Sequence, residues 1–279
     1  MENRVLKGET IEAFRVWLMR EEKSIATVEK YLRDTGAFFD YAGERPVTKE
    51  LVKEWKESLL AKGYAAASIN SMLAGLNSLL QFLDWEDCKV KNLKTQRRTY
   101  CPEEKQLTRS DYERLLNAAK DQPQLRLVME TICGTGIRVS ELSAFTVEAV
   151  KKGEIRISNK GKIRTILIPR KLQKKLLAWA KKKEIQDGVI FITKKGNPLN
   201  RSNIWAKMKK LCKAAGVAAG KVFPHNLRKL FARRFYAAQQ DIAMLADVLG
   251  HSNINTTRIY IMTTGSEHRQ VLDRLGLIS

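Results

Sequence analysis

Cysteine is scarce in this chain, and the four present, Cys88, Cys101, Cys133 and Cys212, are widely and irregularly spaced with no CxxC pair. That pattern excludes a disulfide-stapled secreted framework and a cysteine zinc site, and it predicts buried thiols in a reducing compartment. There is no long uninterrupted apolar run, and the first residues, MENRVLKGET, hold no apolar core of a signal peptide. A cytoplasmic protein without a membrane span is therefore expected. The candidate motifs contain no clustered acidic triad and no HxxH, and the chain shows no internal repeat and no low-complexity segment. Acidic residues are the other shortage: 30 Asp and Glu stand against 51 Lys and Arg, for a formal charge of +21. A field of that size and sign selects polyanions, and nucleic acid is the commonest one a soluble protein meets.

What is present divides in two. The first hundred residues carry helical periodicity only. Thr10 is a candidate cap for a helix burying Ile11, Phe14, Trp17 and Leu18, and a second helix carries Val28, Tyr31, Leu32, Thr35, Phe38 and Phe39. Thr48 caps a third, with Leu51, Val52, Trp55 and Leu59, and Ser68 leads into a fourth with Ile69, Met72, Leu73, Leu76, Leu80 and Leu83. Four such helices make a small bundle that can fold alone. From Lys89 to Lys105 the sequence turns polar and basic, as a linker along a nucleic-acid backbone would. Beyond it, helices are expected at 108–119 and 125–133, then the turn GTG, a hairpin made of EIRIS and RTILIP, a Lys-rich helix, a strand-like GVIFIT, and helices near 204–213, 227–238 and 241–249. Gly250 closes the last of these, and a tail helix starts at Ser266.

Cutting a polyanion requires a nucleophile, positive charge at the two non-bridging phosphate oxygens and a proton for the leaving oxygen. The motifs hold arginine, lysine and histidine, which suit a site without metal. Guanidinium is planar, permanently charged and able to give phosphate two parallel hydrogen bonds. Arg138 follows GTG, where a helix start would add amide donors. His225 and Arg228 share a helical face, Lys160 sits at the hairpin tip, and Tyr260 offers a phenol as nucleophile. Singly, each has an ordinary explanation: a surface arginine, a solvated hairpin lysine, capping histidines at 225 and 251, an exposed acid at Glu141, a packed tyrosine. His268 has no supporting context at all.

The order and wording of the motifs add more. TGIRVSEL at 135–142, HNLR at 225–228, and LGH followed by TTRIY across 249–260 together resemble the tyrosine recombinase family, also called the phage-integrase family, over nearly the whole chain. The resemblance implies a mostly α fold with a small β-sheet: an N-terminal helical core-binding (SAM-like) domain over 1–92, a basic interdomain linker over 93–104, and a catalytic domain with a C-terminal tail over 105–279, the two domains clamping DNA. It makes Arg138 and Arg228 the grip on the scissile phosphate, His225 and His251 their companions, and Glu141 an orienting acid. Tyr260 becomes the nucleophile that forms a 3′-phosphotyrosyl bond and frees a 5′ hydroxyl. No cofactor, metal or ATP is implied. Lys160 is the matching general acid and Lys162 the alternative, because NKGKIR is a residue shorter than the family's GKGNKxR; Lys229 stands where relatives often have histidine. With no room for an arm-site domain, the chain looks closest to compact Xer-like or transposon-type enzymes.

The implied partners are double-stranded DNA recombination sites and further copies of the chain, from dimer to synaptic tetramer. The apolar tail residues Leu272, Leu275, Leu277 and Ile278 are candidates for docking on a neighbour, packing on their own domain being the alternative, and an accessory protein is compatible with the scheme. No membrane is involved. The rival functions are a type IB topoisomerase-like relaxing enzyme, a sequence-specific DNA-binding protein without catalysis, and a metal-dependent nuclease.

Overall fold

The computed structural model describes residues 4–96, 99–159 and 162–277. The chain divides into two compact units, residues 1–97 and 98–279.

The first unit is four helices: α1 (Gly8–Arg20), α2 (Ile25–Ala42), α3 (Lys49–Ala61) and α4 (Ala66–Phe82). Their apolar stripes meet in one core that includes Phe14, Leu18, Phe38, Trp55, Ile69, Leu73 and Leu76. Phe38 meets Trp55 edge to face at 5.2 Å. Ser24 and Thr48 cap α2 and α3 through their hydroxyls. Two expected starts shift: α1 begins at Gly8, so the Thr10 hydroxyl lies inside the first turn and accepts the Lys7 N–H, and α4 begins at Ala66, before Ser68. After α4 the chain stays tied to it. Asn70 exchanges two hydrogen bonds with the backbone of Leu93, and Asn77 donates to the Val90 carbonyl.

The second unit holds α5 (Arg109–Ala118), α6 (Pro123–Thr135), α7 (Val147–Lys152), the hairpin β1 (Glu154–Asn159) and β2 (Lys162–Leu167), then α8 (Arg170–Lys182), α9 (Arg201–Ala215), α10 (Pro224–Gln239), α11 (Ile242–Leu249), α12 (Ile254–Ile261) and α13 (Gly265–Arg274). Leu115, Val128, Ile132, Phe145, Leu176, Phe191, Met208 and Leu227 lie in its core. β1 and β2 pair antiparallel, with Ile155 opposite Ile166 and Ile157 opposite Arg164. The expected strand GVIFIT does not form. Ile190 and Phe191 are both buried, so the side chains do not alternate, and the segment makes only single bridges, Thr146 with Val189 and Ile192 with Pro198. The thiols also depart from expectation: all four are free, but only Cys88 and Cys212 are buried, while Cys101 and Cys133 are half-buried. Among the described residues no helix is long and apolar enough to cross a membrane.

Candidate active site

Three chain reversals bring the polar residues together. Helix α6 ends at Gly136, whose φ of 66° is left-handed. A Cβ there would collide with the ring of Phe231 on α10, so the close approach of the two helices requires glycine. Helix α11 ends at Gly250, also left-handed, which turns His251 back toward the same cleft. Pro224 opens α10 at its first turn and places His225 and Arg228 three residues apart on one face.

Arg138 does not open an α-helix. It caps a 3₁₀ turn, Val139–Ala144, and its own N–H donates to Oε2 of Glu141 at 2.7 Å, so that amide is not available to an anion. Its Nη1 donates to Glu141 Oε1 at 2.9 Å. Glu141 is thus not a surface acid but a buried carboxylate that fixes Arg138 at two points. Arg228 is 1% exposed. It donates to the carbonyls of Gly136 and, at 2.7 Å, Leu249, and its Nη2 stands 3.1 Å from Nε2 of His251. A guanidinium can only donate, so His251 Nε2 is the acceptor and the ring proton sits on Nδ1, 3.0 Å from the Thr257 hydroxyl.

Tyr260 lies near the C-terminal end of α12, 8% exposed. Its ring is flanked by His225 at 4.9 Å and His251 at 4.8 Å between centroids, and the Arg228 guanidinium lies 5.7 Å from its centroid. Burial against this cluster, followed by the charges of Lys229, Arg228 and Arg138, pushes the His225 imidazole down to about 4. Burial and the charges of Arg228, Arg138 and Arg164 do the same for His251. Even Arg228 is lowered to about 10, first by burial and then by Arg138. The site is therefore crowded with cations around two neutral imidazoles, an electrostatic setting suited to an anion such as phosphate.

Arg138, Glu141, His225, Arg228, His251 and Tyr260 are thus brought into one cluster. Lys160 lies outside the described residues, and of Lys162 the backbone alone is described, in β2. His268 meets the Tyr100 ring in a tilted pair, 5.3 Å between centroids, away from the cluster. Among the described residues no group of three or more His, Cys, Asp or Glu side chains is placed to hold a metal ion. Sequence reasoning missed Arg164, whose Nη2 stands 2.6 Å from Glu141 Oε2 and whose Nη1 donates to the Leu249 carbonyl. Arg164 and Ile166 alternate on the inward face of β2 and Ile168 follows the strand in the same phase, but Ile163 and Leu167 give the outward face an equally apolar pattern. Thr257, 0% exposed, gave no signal of its role.

Residues 105–267 match the phage integrase family, and residues 11–87 match the phage integrase N-terminal SAM-like domain. The tyrosine recombinase XerA of Pyrococcus furiosus is 29% identical, covering 100% of this chain and 98% of that protein. The tyrosine recombinase XerD of Vibrio cholerae serotype O1 is 25% identical over 84% of each. Among solved structures, a lambda integrase dimer bound to a COC′ core site aligns with a TM-score of 0.74 at 20% identity, covering 93% of this chain and 96% of that one. XerH recombinase bound to difH substrate in a pre-cleavage complex aligns with a TM-score of 0.69 at 18% identity, covering 99% and 91%. At these identities the structures establish a shared fold.

Proposed function

Because the chain belongs to the phage integrase family, we propose that it is a site-specific tyrosine recombinase that cuts and rejoins duplex DNA with Tyr260 as nucleophile. The observation that carries this is the placement of the Tyr260 ring between His225 and His251 beside the buried Arg228. Arg138 and Arg228 hold the non-bridging oxygens of the scissile phosphate. Tyr260 Oη attacks phosphorus, its bond to the 5′ oxygen breaks, and a 3′-phosphotyrosyl ester remains. His225 takes the phenol proton, since the His251 ring is committed on both nitrogens. Lys160 gives the leaving 5′ oxygen its proton, with Lys162 as the alternative. A 5′ hydroxyl of a second strand then attacks the ester, and the retained phosphodiester energy makes ATP unnecessary. Glu141 orients Arg138.

Residues 1–92 act as the core-binding domain, 93–104 as the basic connection along the DNA backbone, and 105–279 as the catalytic domain, the two domains clamping the site. Copies associate on DNA from dimer to synaptic tetramer, the tail helix docking on a neighbour. The protein works in the cytoplasm, on the nucleoid.

The test begins with duplexes selected for binding from a randomised pool. These are nicked at successive positions to trap the cut strand and incubated with the protein in EDTA. A covalent protein–DNA complex that survives denaturation, absent for Tyr260→Phe, is expected. Selected duplexes that give no complex at any nick position overturn the proposal.

A further inference from the structure

Arg164 has no role in the proposed reaction steps, yet among the described side chains of the hairpin it is the most heavily committed cation. Its side chain is 12% exposed and its partner Glu141 8%. The two Glu141 oxygens divide their work: Oε1 accepts from Arg138 Nη1, whereas Oε2 accepts from the Arg138 N–H and from Arg164 Nη2. Arg164 Nη1 reaches across to the Leu249 carbonyl, the acceptor that Arg228 Nη2 also uses. One guanidinium on β2 therefore touches the supports of both phosphate-gripping arginines. Its Nε is buried and has no partner among the described residues. Leaving a donor unmet is costly, so the group is held there by its other bonds.

The charge count gives the arrangement a purpose. Arg138 facing Glu141 alone would form a neutral pair with little attraction left for phosphate. With Arg164 added, the trio carries one net positive charge, and Glu141 is held in the rotamer that leaves the remainder of Arg138 free. The side chain of Arg138 is 33% exposed, so the free part faces the cleft.

Resting on the recombinase reading above, we propose that Arg164 is a positioning residue that aims Arg138 at the scissile phosphate through Glu141 and locks β2 to the end of α11. It touches no reacting atom.

The readout is a pair of otherwise identical nicked duplexes, one with an ordinary scissile phosphodiester and one with a methylphosphonate there. The methyl group removes the negative charge that Arg138 has to neutralise. Arg164→Gln is expected to slow covalent adduct formation on the phosphodiester by about 10–100-fold, the range for a lost supporting contact, and to slow the methylphosphonate by much less. Arg164→Lys keeps one cation but not the fork, and falls between the two. Thermal melting and non-covalent DNA affinity are recorded for each variant. Equal loss on both diesters, in either variant, overturns the positioning role in favour of a purely structural one. If Arg164→Gln does not melt cooperatively, the ratio for Arg164→Lys decides alone. Failure of the parent protein to form an adduct on either diester would instead overturn the recombinase reading.

Discussion

The guanidinium of Arg228 stands 3.1 Å from Nε2 of His251, and this single contact fixes where the imidazole carries its proton. The consequence is measurable, because adding a second proton would set imidazolium against guanidinium. In the DNA-free protein, His225 and His251 are both expected to titrate near 4, below the ordinary value of about 6.5. Between those values the unfolded chain binds more protons than the folded one. The stabilising contribution is therefore complete above about pH 6.5 and declines as the pH falls toward 4. Imidazole NMR titration should give the low values, and urea midpoints should fall from pH 7 to pH 5. Bound DNA phosphate, being anionic, should raise both titrations; midpoints near 6.5 in the free protein would contradict the electrostatic account.

Thr257→Val removes the hydroxyl that meets His251 Nδ1 at 3.0 Å while keeping the side chain's shape. A buried donor loses its partner, at a cost of about 1–3 kcal/mol, and the histidine loses its fixed orientation. Adduct formation should slow about tenfold or more, with DNA affinity unchanged.

Gly136→Ala combines a left-handed backbone with a Cβ that meets the Phe231 ring. Destabilisation of about 1–3 kcal/mol is expected, with loss of the Gly136 carbonyl geometry that Arg228 uses. A parental melting temperature would show that α6 and α10 are not so closely held.

Val271, Leu272, Leu275 and Leu277 on the tail are 53–84% exposed, and α13 buries none of its residues. Changing Leu272 and Leu275 to Ser should leave monomer stability within about 0.5 kcal/mol of the parent. Assembly of two sites into one complex should fall, read by native gel on two-site DNA. Unchanged assembly would remove the tail from the docking scheme.

Lys160 and Lys162 are separable by leaving-group chemistry. A 5′-bridging sulfur leaves without needing a proton, so the variant lacking the general acid should be slow on the ordinary diester and restored by the sulfur one. Lys160→Ala is expected to show that rescue and Lys162→Ala not; the reverse result reassigns the acid.

Much of this was legible in the chain. Apolar spacing located the core helices because burial, not local preference, decides them, as with Phe14 and Leu18 on one stripe or Leu73 and Leu76 on another. Gly250 marked a stop because only a left-handed residue turns the chain there. The hidden part is tertiary. Composition and periodicity alone make Glu141 a surface acid; the family resemblance implied its orienting role, but its burial against Arg164 depends on the fold, and Arg164 was obscured by Ile163 and Leu167, exposed apolar neighbours that suggest the opposite face of β2. GVIFIT failed as a strand because its composition fits an extended buried segment equally well, and pairing depends on neighbours the sequence does not name.

The carbonyl of Leu249 receives both Arg164 and Arg228, and this sets an order on biosynthesis. The ribosome delivers Arg164 and Arg228 before it delivers their common acceptor, and the acceptor before Tyr260. A nascent chain halted short of residue 249 carries the cations without the anchor that aims them. On the recombinase reading proposed above, a product that ends short of Tyr260 lacks the nucleophile, so it is expected to leave no covalent adduct on DNA.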